Sequence, residues 1–178
     1  GGHETVANVL HEMGDLMDDI SEYDEAVNYF SECLDIRKER LGEDHEDVAE
    51  TLYSMGFALH NQGHYEDSLD AFDEALSIRR DKLGDNHDSV GDTLNIMGFV
   101  QAKRGELDES LRLLWDALRI RKLNEDNLKA ADTLKNIGNV HREKQEFELA
   151  IECYEECLRI RRSEVGDEHE KVADALIA

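Results

Sequence analysis

Cys153 and Cys157 are the residues of this sequence whose type and spacing most resemble a metal site, because they lie four positions apart. Side chains at i and i+4 share one face of a helix, and two thiolates there could supply half of a tetrahedral zinc site. No further His or Cys has a supporting spacing, and Cys157 falls at a position that the repeat described below reserves for small residues. We therefore expect a packing role and predict no metal and no cofactor.

Four histidines recur along the chain at regular intervals. They are His3, His45, His87 and His169. Residues about forty positions apart lie roughly one repeat apart in space and cannot share a metal, so a structural role at the start of a helix is expected. The sequence also lacks a nucleophile elbow and a glycine-rich phosphate loop, and an enzyme is not predicted.

The charge balance excludes some classes of partner. The chain has 43 acidic and 20 basic side chains, a net charge of −23, with 40 % hydrophobic residues and no proline. Nucleic-acid binding is not expected because it needs a basic face. No stretch approaches the roughly 20 apolar residues of a membrane span. The acidity has two interpretations, a solvated surface or a preference for a basic segment of a protein partner. Three cysteines argue against a disulfide framework, which favours a reducing, cytoplasmic location.

An internal repeat organises the whole sequence. The segment VANVL at 6–10 returns four times, at spacings of 42, 42, 40 and 42 residues. Its copies are VAETL at 48–52, VGDTL at 90–94, AADTL at 130–134 and VADAL at 172–176. The third repeat is two residues shorter at its end. We predict one domain over 1–178, with repeats at about 4–45, 46–87, 88–127 and 128–169 and a partial fifth repeat at 170–178.

Each repeat has the pattern of two amphipathic helices. In the second repeat the predicted helices run from about 46 to 61 and from about 66 to 82, with a break at Gly63 and His64. A single pair cannot bury its apolar face alone, whereas stacked pairs share a continuous core. The predicted fold is all-α, a right-handed α-solenoid superhelix of four antiparallel helix pairs, with a partial ninth helix at about 169–178.

Helix-end residues follow the same register. Gly84 is expected to be a left-handed cap after the second helix, and Asp44 and Asn86 are expected to be N-caps. Basic pairs fill the last turns of second helices, where they complement the helix dipole; a binding row is the alternative interpretation. These pairs are Arg37 with Lys38, Arg79 with Arg80 and Arg161 with Arg162.

Small and bulky residues at fixed offsets identify a family. The second repeat has Leu52, Gly56 and Leu59 in its first helix, then Ser68, Phe72 and Ala75 in its second. The other repeats place Gly14, Gly98 and Gly138 before Phe30, Leu114 and Tyr154. This pattern resembles the tetratricopeptide repeat, W-x2-L-G-x2-Y followed by A-x3-F. The 42-residue period and the Gly-x-x-His junction resemble the kinesin-light-chain and nephrocystin type. Glu46, Asp88 and Glu170 replace the proline that usually follows the junction histidine.

The resemblance implies that one stripe of each first helix lines a concave groove that binds other proteins. Transferred by register, the groove residues are His11, Asp15, Asp18 and Asp19, then Tyr53, Phe57, His60 and Asn61, then Asn95, Phe99, Ala102 and Lys103, and finally Lys135, Asn139, Arg142 and Glu143. We predict a scaffold that binds a peptide. Its apolar anchor would meet Phe57 and Phe99, and its basic part would meet the aspartates. Its acidic end would meet Lys135 and Arg142.

Two alternatives stay open. Tyr53, Phe57 and Phe99 could pack between neighbouring helices and only line the wall. The chain could instead be a self-assembly module, a homodimer formed through an open terminal repeat, because solenoids without a polar cap tend to associate. Lys135 and Asn139 also resemble part of the carboxylate clamp that some family members use, but the residues after them do not complete it.

Overall fold

The computed structural model describes residues 2–165, which form eight α-helices. In chain order they are α1 Gly2–Asp19, α2 Tyr23–Leu41, α3 Glu46–Gln62, α4 Tyr65–Leu83, α5 Asp88–Arg104, α6 Leu107–Leu123, α7 Asn127–Glu143 and α8 Phe147–Val165. The predicted all-α repeat fold is confirmed, and the helices predicted at 46–61 and 66–82 are α3 and α4. The predicted ninth helix, the partial fifth repeat and His169 lie outside the described residues.

The chain forms two compact units, residues 1–85 and residues 86–178, called unit 1 and unit 2 below. In unit 1, α2 packs against both α1 and α3, and α3 packs against α4. Unit 2 repeats this arrangement, with α6 against α5 and α7 and with α7 against α8. First helices of neighbouring pairs also touch, α1 with α3 and α5 with α7. A single solenoid over residues 1–178 stays a prediction.

A glycine in each first helix lets the second helix of the same pair approach closely. A Cβ atom built on Gly56 would lie 2.7 Å from the Phe72 ring, and one on Gly98 would lie 2.7 Å from Leu114. Gly14 faces Phe30 and Gly138 faces Tyr154 at 2.5 and 2.6 Å. Because real Cβ contacts are never this short, only glycine fits. The predicted pairing of small and large residues is confirmed in all four repeats.

The turns inside and between helix pairs use glycine differently. Gly63 and Gly105, which follow the first helices, adopt the left-handed conformation with φ near +84° and ψ below 10°. Gly84 instead has φ +89° and ψ 157°. The prediction of a left-handed cap at Gly84 is therefore wrong in its ψ angle. The turn still requires glycine, because an L side chain is strained at this φ.

Histidines, not acidic or amide residues, cap α3 and α5. The Nδ1 atom of His45 accepts a hydrogen bond from the backbone N–H of Asp47 at 3.2 Å, and His87 accepts from Ser89 at 3.3 Å. The predicted N-caps Asp44 and Asn86 are wrong by one residue. The expected structural role of the junction histidines is confirmed for His45 and His87. Each ring nitrogen accepts a hydrogen bond from a backbone N–H of the first turn, which has no acceptor within the helix.

Buried arginines connect three consecutive helices. Arg121 of α6 donates to the backbone oxygen of Lys129 in α7 at 2.9 Å and to Asp92 of α5 at 2.9 Å. Arg37 of α2 donates in the same way to Asp47 of α3 and to Asn8 of α1. Arg121 and Arg37 are only 6 % and 5 % exposed. The helix-end interpretation of the basic pairs does not account for Arg37, because its guanidinium group binds the neighbouring repeat. Arg121 lies outside the pairs named above and makes the same kind of contact.

Candidate functional site

The acidic part of the predicted groove lies on α1 of unit 1. Asp18 accepts a hydrogen bond from the Asn61 side chain of α3 at 3.1 Å, so the stripes of the first and second repeats meet here. Asp15 and Asp19 are exposed on the same helix. His11 differs from them: it is only 9 % exposed, and its ring packs edge-to-face on Phe30 at 5.4 Å. Its burial leaves little surface for a ligand.

Asp15 carries its negative charge at a cost in free energy. Burial raises the pKa of the Asp15 carboxyl, Glu50, Asp19 and Asp18 raise it further, and His11 opposes them. A bound cation would relieve this repulsion. The stripe therefore has the electrostatic character that favours a basic group.

Replacing Asp15 with asparagine should raise the melting temperature at pH 7 by about 1–2 °C; the effect is small because half of the side chain is exposed and screened. Since the folded-state pKa is raised, the cost exists where the carboxyl is charged and disappears below its unfolded value of 3.8. The two proteins should therefore melt alike at pH 3. Circular dichroism melts at both pH values test this, and an equal difference at both would contradict it.

An aromatic cluster adjoins the polar residues of α3. The Tyr53 ring lies 5.1 Å from that of Phe57 and 5.5 Å from that of Phe72, in T-shaped contacts. The guanidinium of Arg79 sits 4.2 Å above Tyr53. His60 lies 5.5 Å from Tyr65. Tyr53 and Phe57 are half-buried, so they contribute to packing and still expose part of their rings.

Unit 2 contains a pocket where α5, α6 and α7 meet, called the Phe99 pocket here. Its volume is about 140 Å³. Phe99, Ala102, Leu114 and Val140 supply apolar surface, and polar side chains complete the wall: Lys103, Asn136, Asn139, Arg142 and Glu143. The Lys103 ammonium lies 5.2 Å from the centre of the Phe99 ring. Predicted residues from the third and fourth repeats thus line one pocket.

Hydrogen bonds orient the two asparagines of the pocket. Asn136 donates from its amide to Asn95 Oδ1 at 3.3 Å, and Asn139 Oδ1 accepts from the Tyr154 hydroxyl at 2.8 Å. Burial raises the pKa of Tyr154, which keeps its hydroxyl a donor. Asn136 therefore retains its oxygen as an acceptor, and Asn139 retains its N–H groups as donors. The lining residues do not include Asn95 or Lys135.

Cysteine chemistry and metal binding have no geometric support within residues 2–165. Cys33, Cys153 and Cys157 are free and buried, and burial raises the pKa of each thiol. The described residues contain no group of three or more His, Cys, Asp or Glu side chains arranged to hold a metal ion. In the same part of the chain, no helix has the length and apolar content to cross a membrane.

One known protein family matches most of the sequence. The tetratricopeptide repeat family matches residues 5–81, 47–123 and 129–178. The chain belongs to the tetratricopeptide repeat (TPR) family. No curated protein matches its sequence.

Several solved structures share this TPR fold at low sequence identity. BtubC (BKLC) from P. vanneervenii has a TM-score of 0.83 and 21 % identity, over 88 % of this chain and 63 % of its own length. A Podosopora anserina protein with nearly identical TPR-like repeats, described as a kinesin light chain, has a TM-score of 0.84 and 15 % sequence identity. The match covers 97 % of this chain and 82 % of that protein. The apo form of RapI has a TM-score of 0.84 and 17 % sequence identity, and the match covers 99 % of this chain and 48 % of RapI. The predicted kinesin-light-chain type of repeat is confirmed at the level of the fold.

Some residues of the Phe99 pocket were absent from the sequence prediction. Asn136 lies next to the predicted stripe of α7, and Leu114 belongs to a second helix. Leu114 carries a signal that was available, because the other repeats have an aromatic ring there. Leucine is less bulky than these rings, and Leu114 forms part of the wall of the Phe99 pocket.

Proposed function

We propose that this TPR chain is a protein–protein interaction scaffold that acts by binding a peptide segment and not by catalysis. The Phe99 pocket carries the proposal, since apolar surface and a few convergent polar groups are typical of binding sites. Three free, buried cysteines fit the proposed cytoplasmic location. A basic segment would be accommodated in unit 1, at Asp15, Asp18 and Asp19.

The polar groups of the pocket match the chemistry of a peptide. Asn136 offers an acceptor and Asn139 offers donors, and a peptide backbone presents the complementary N–H and C=O groups. An apolar side chain of the ligand would enter between Phe99 and Val140. A carboxylate beside it would face Lys103 and Arg142, which adds orientation more than affinity.

Replacing Phe99 with alanine should weaken peptide binding about 30-fold, the effect of losing a hot-spot aromatic worth roughly 2 kcal/mol. Peptides would be selected from a displayed random library on the wild-type protein, and their Kd values measured by fluorescence anisotropy. Phe147→Ala is the matched control, because Phe147 is 54 % exposed at the start of α8 and lies outside the pocket. Equal Kd values for wild type and Phe99→Ala, with equal helicity, would refute the proposal.

A second candidate function, self-association, is favoured by an exposed apolar stripe on α1. Val6, Val9 and Leu16 of α1, and Ile20 directly after it, are 48–57 % exposed. Val48 and Ala58 hold the positions of Val6 and Leu16 in the next repeat; both are fully buried, with Val27 of α2 packed against their clusters. The stripe therefore has the residues of a repeat-stacking surface, and a second copy of the chain is the proposed occupant.

Leu16→Glu should reduce self-association measured by sedimentation velocity over a wide concentration range. Added salt should strengthen it in the wild type, because the copies carry −23 each and repel one another. Leu123→Glu, at a site 59 % exposed in unit 2, serves as the control. A wild-type protein that sediments as a monomer at every concentration and salt level would exclude this candidate and leave peptide binding unaffected.

A further inference from the structure

The outer face of α6 carries the one tryptophan of the sequence in an exposed position. Trp115 is 47 % exposed, and Arg112 and Arg119 flank it at −3 and +4. All three are exposed and lie opposite the buried side of α6, where Leu114, Ala117 and other residues pack. We call Arg112, Trp115 and Arg119 the α6 outer face. It lies outside the Phe99 pocket.

The same three positions have a net negative charge in every other second helix. They are Asn28, Ser31 and Asp35 in α2, Asp70, Asp73 and Ser77 in α4, and Glu152, Glu155 and Arg159 in α8. All nine are exposed, as is expected of a solvated helix face. Each set has a net charge of −1 or −2, whereas the α6 outer face has +2. The third repeat thus combines a local charge reversal with a large exposed ring that packing does not require.

Neighbouring side chains contact both guanidinium groups of the α6 outer face. Arg112 and Glu109 form a pair of parallel hydrogen bonds, in which Nε donates to Oε2 at 2.8 Å and Nη2 donates to Oε1 at 2.5 Å. The Nη1 atom of Arg112 lies 3.7 Å from Asp116 Oδ2. Arg119 donates to a neutral group, Asn86 Oδ1, at 3.0 Å. Glu109 and Asp116 offset part of the positive charge at Arg112. Arg119 has no such carboxylate contact among its described hydrogen bonds and ion pairs, so its charge is the less compensated of the two.

Tryptophan and arginine are the residue types most enriched at binding hot spots. Arginine binds carboxylates with two parallel hydrogen bonds. An apolar group that covers an exposed indole removes apolar surface from water, which stabilises the complex. Arg112 and Arg119 are seven residues apart, about 10 Å along the helix axis. A partner helix with carboxylates seven residues apart and an apolar residue between them has the matching spacing.

We propose that the α6 outer face is a docking site for an acidic helical segment of a partner protein, with an apolar side chain on Trp115 and carboxylates on Arg112 and Arg119. This site is separate from the Phe99 pocket and does not depend on the function proposed for it. The partner is acidic although the whole chain is acidic, because these three positions have a net positive charge only in α6 and Arg119 contacts a neutral side chain, Asn86.

The test uses Trp115 as its own reporter, since its fluorescence is the only tryptophan signal. The probe is a synthetic alanine-rich helical peptide with a leucine between two glutamates seven residues apart. Its matched control has lysine in place of both glutamates. The acidic peptide should shift Trp115 emission to shorter wavelength and protect it from acrylamide. The lysine peptide should do neither, and added salt should weaken the effect.

The triple variant R112N/W115S/R119D installs the residues of α2 on α6 and should bind a labelled acidic peptide at least ten-fold more weakly by anisotropy. Phe99→Ala should bind it as wild type does. The proposal is overturned if the acidic peptide gives no shift up to millimolar concentration or if the lysine peptide binds equally. Loss of binding in Phe99→Ala alone would place the peptide in the pocket. A shift produced by phosphatidylserine vesicles and not by the peptide would identify a membrane surface instead.

Discussion

Replacing Arg121 with methionine lowers the free energy of unfolding by about 3 kcal/mol, the cost expected when one partner of a buried charged network is removed. Methionine fills a similar volume but cannot donate to the Lys129 carbonyl, to Thr133 or to Asp92, which Arg121 contacts now. Asp92 would keep the Lys129 ammonium and the Lys129 carbonyl would keep the Thr133 hydroxyl. The buried oxygen of Thr133 would lose the donor that Arg121 supplies, and the three helices would lose the charged group that connects them. Urea unfolding followed by circular dichroism measures the change.

Arg112→Met on the same helix is the matched control for Arg121. The side chain of Arg112 is 60 % exposed and pairs with Glu109 at the surface, so its loss should cost less than about 1 kcal/mol. Arg121→Lys should fall between the two, because an ammonium keeps the charge but lacks the fork that reaches α5 and α7 together. Equal losses for Arg121→Met and Arg112→Met would show that the three-helix contact does not stabilise unit 2.

Gly56→Ala should destabilise the protein by about 2 kcal/mol, although alanine normally favours a helix over glycine. The new methyl group would lie 2.7 Å from one atom of the Phe72 ring and 2.9 Å from two others. Phe72 is fully buried and in contact with Tyr53 and Phe57, so the ring cannot move aside without disturbing the aromatic cluster. The expected result is a lower urea midpoint with the helix content unchanged.

Two further glycines provide a graded control for Gly56. A Cβ atom on Gly91 would meet Ile120 at 3.2 Å, and one on Gly2 would meet nothing within 4 Å. Gly91→Ala should therefore cost little, and Gly2→Ala should be neutral or slightly stabilising. If the three variants did not rank in this order, close approach of the helices would not be the reason for glycine at Gly56.

The sequence allowed the helix pairs and the glycine–ring contacts to be predicted, because both depend on one repeat and its register. Gly56 and Phe72 are sixteen residues apart, and the same offset occurs in each repeat. The caps were placed one residue early because Asp and Asn are the preferred N-cap types, while His45 and His87 fulfil that role with a ring nitrogen. Cap preference alone does not distinguish adjacent candidates.

The contacts that could not be predicted all join side chains of different helices. Arg121 follows the rule that basic residues stabilise helix C-termini, and only the packed neighbours reveal that its guanidinium binds α5 and α7. His11 matches the periodicity of the groove stripe, yet its ring packs on Phe30. The Phe99 pocket needs Leu114 from a second helix, which a prediction confined to first-helix stripes omits.

The arginine contacts also affect local unfolding at the ends of two helices. Arg37 and Arg121 bind the backbone oxygens of Asp47 and Lys129, which lie in the first turns of α3 and α7. Terminal turns of helices normally fray at almost no cost in free energy. Here, fraying of these turns would break the arginine contacts with a preceding helix pair. Amide hydrogen exchange should therefore be slower in these two turns than at the other ends of the same helices. The amides of each such turn should exchange only when its contact with the preceding helix pair is broken.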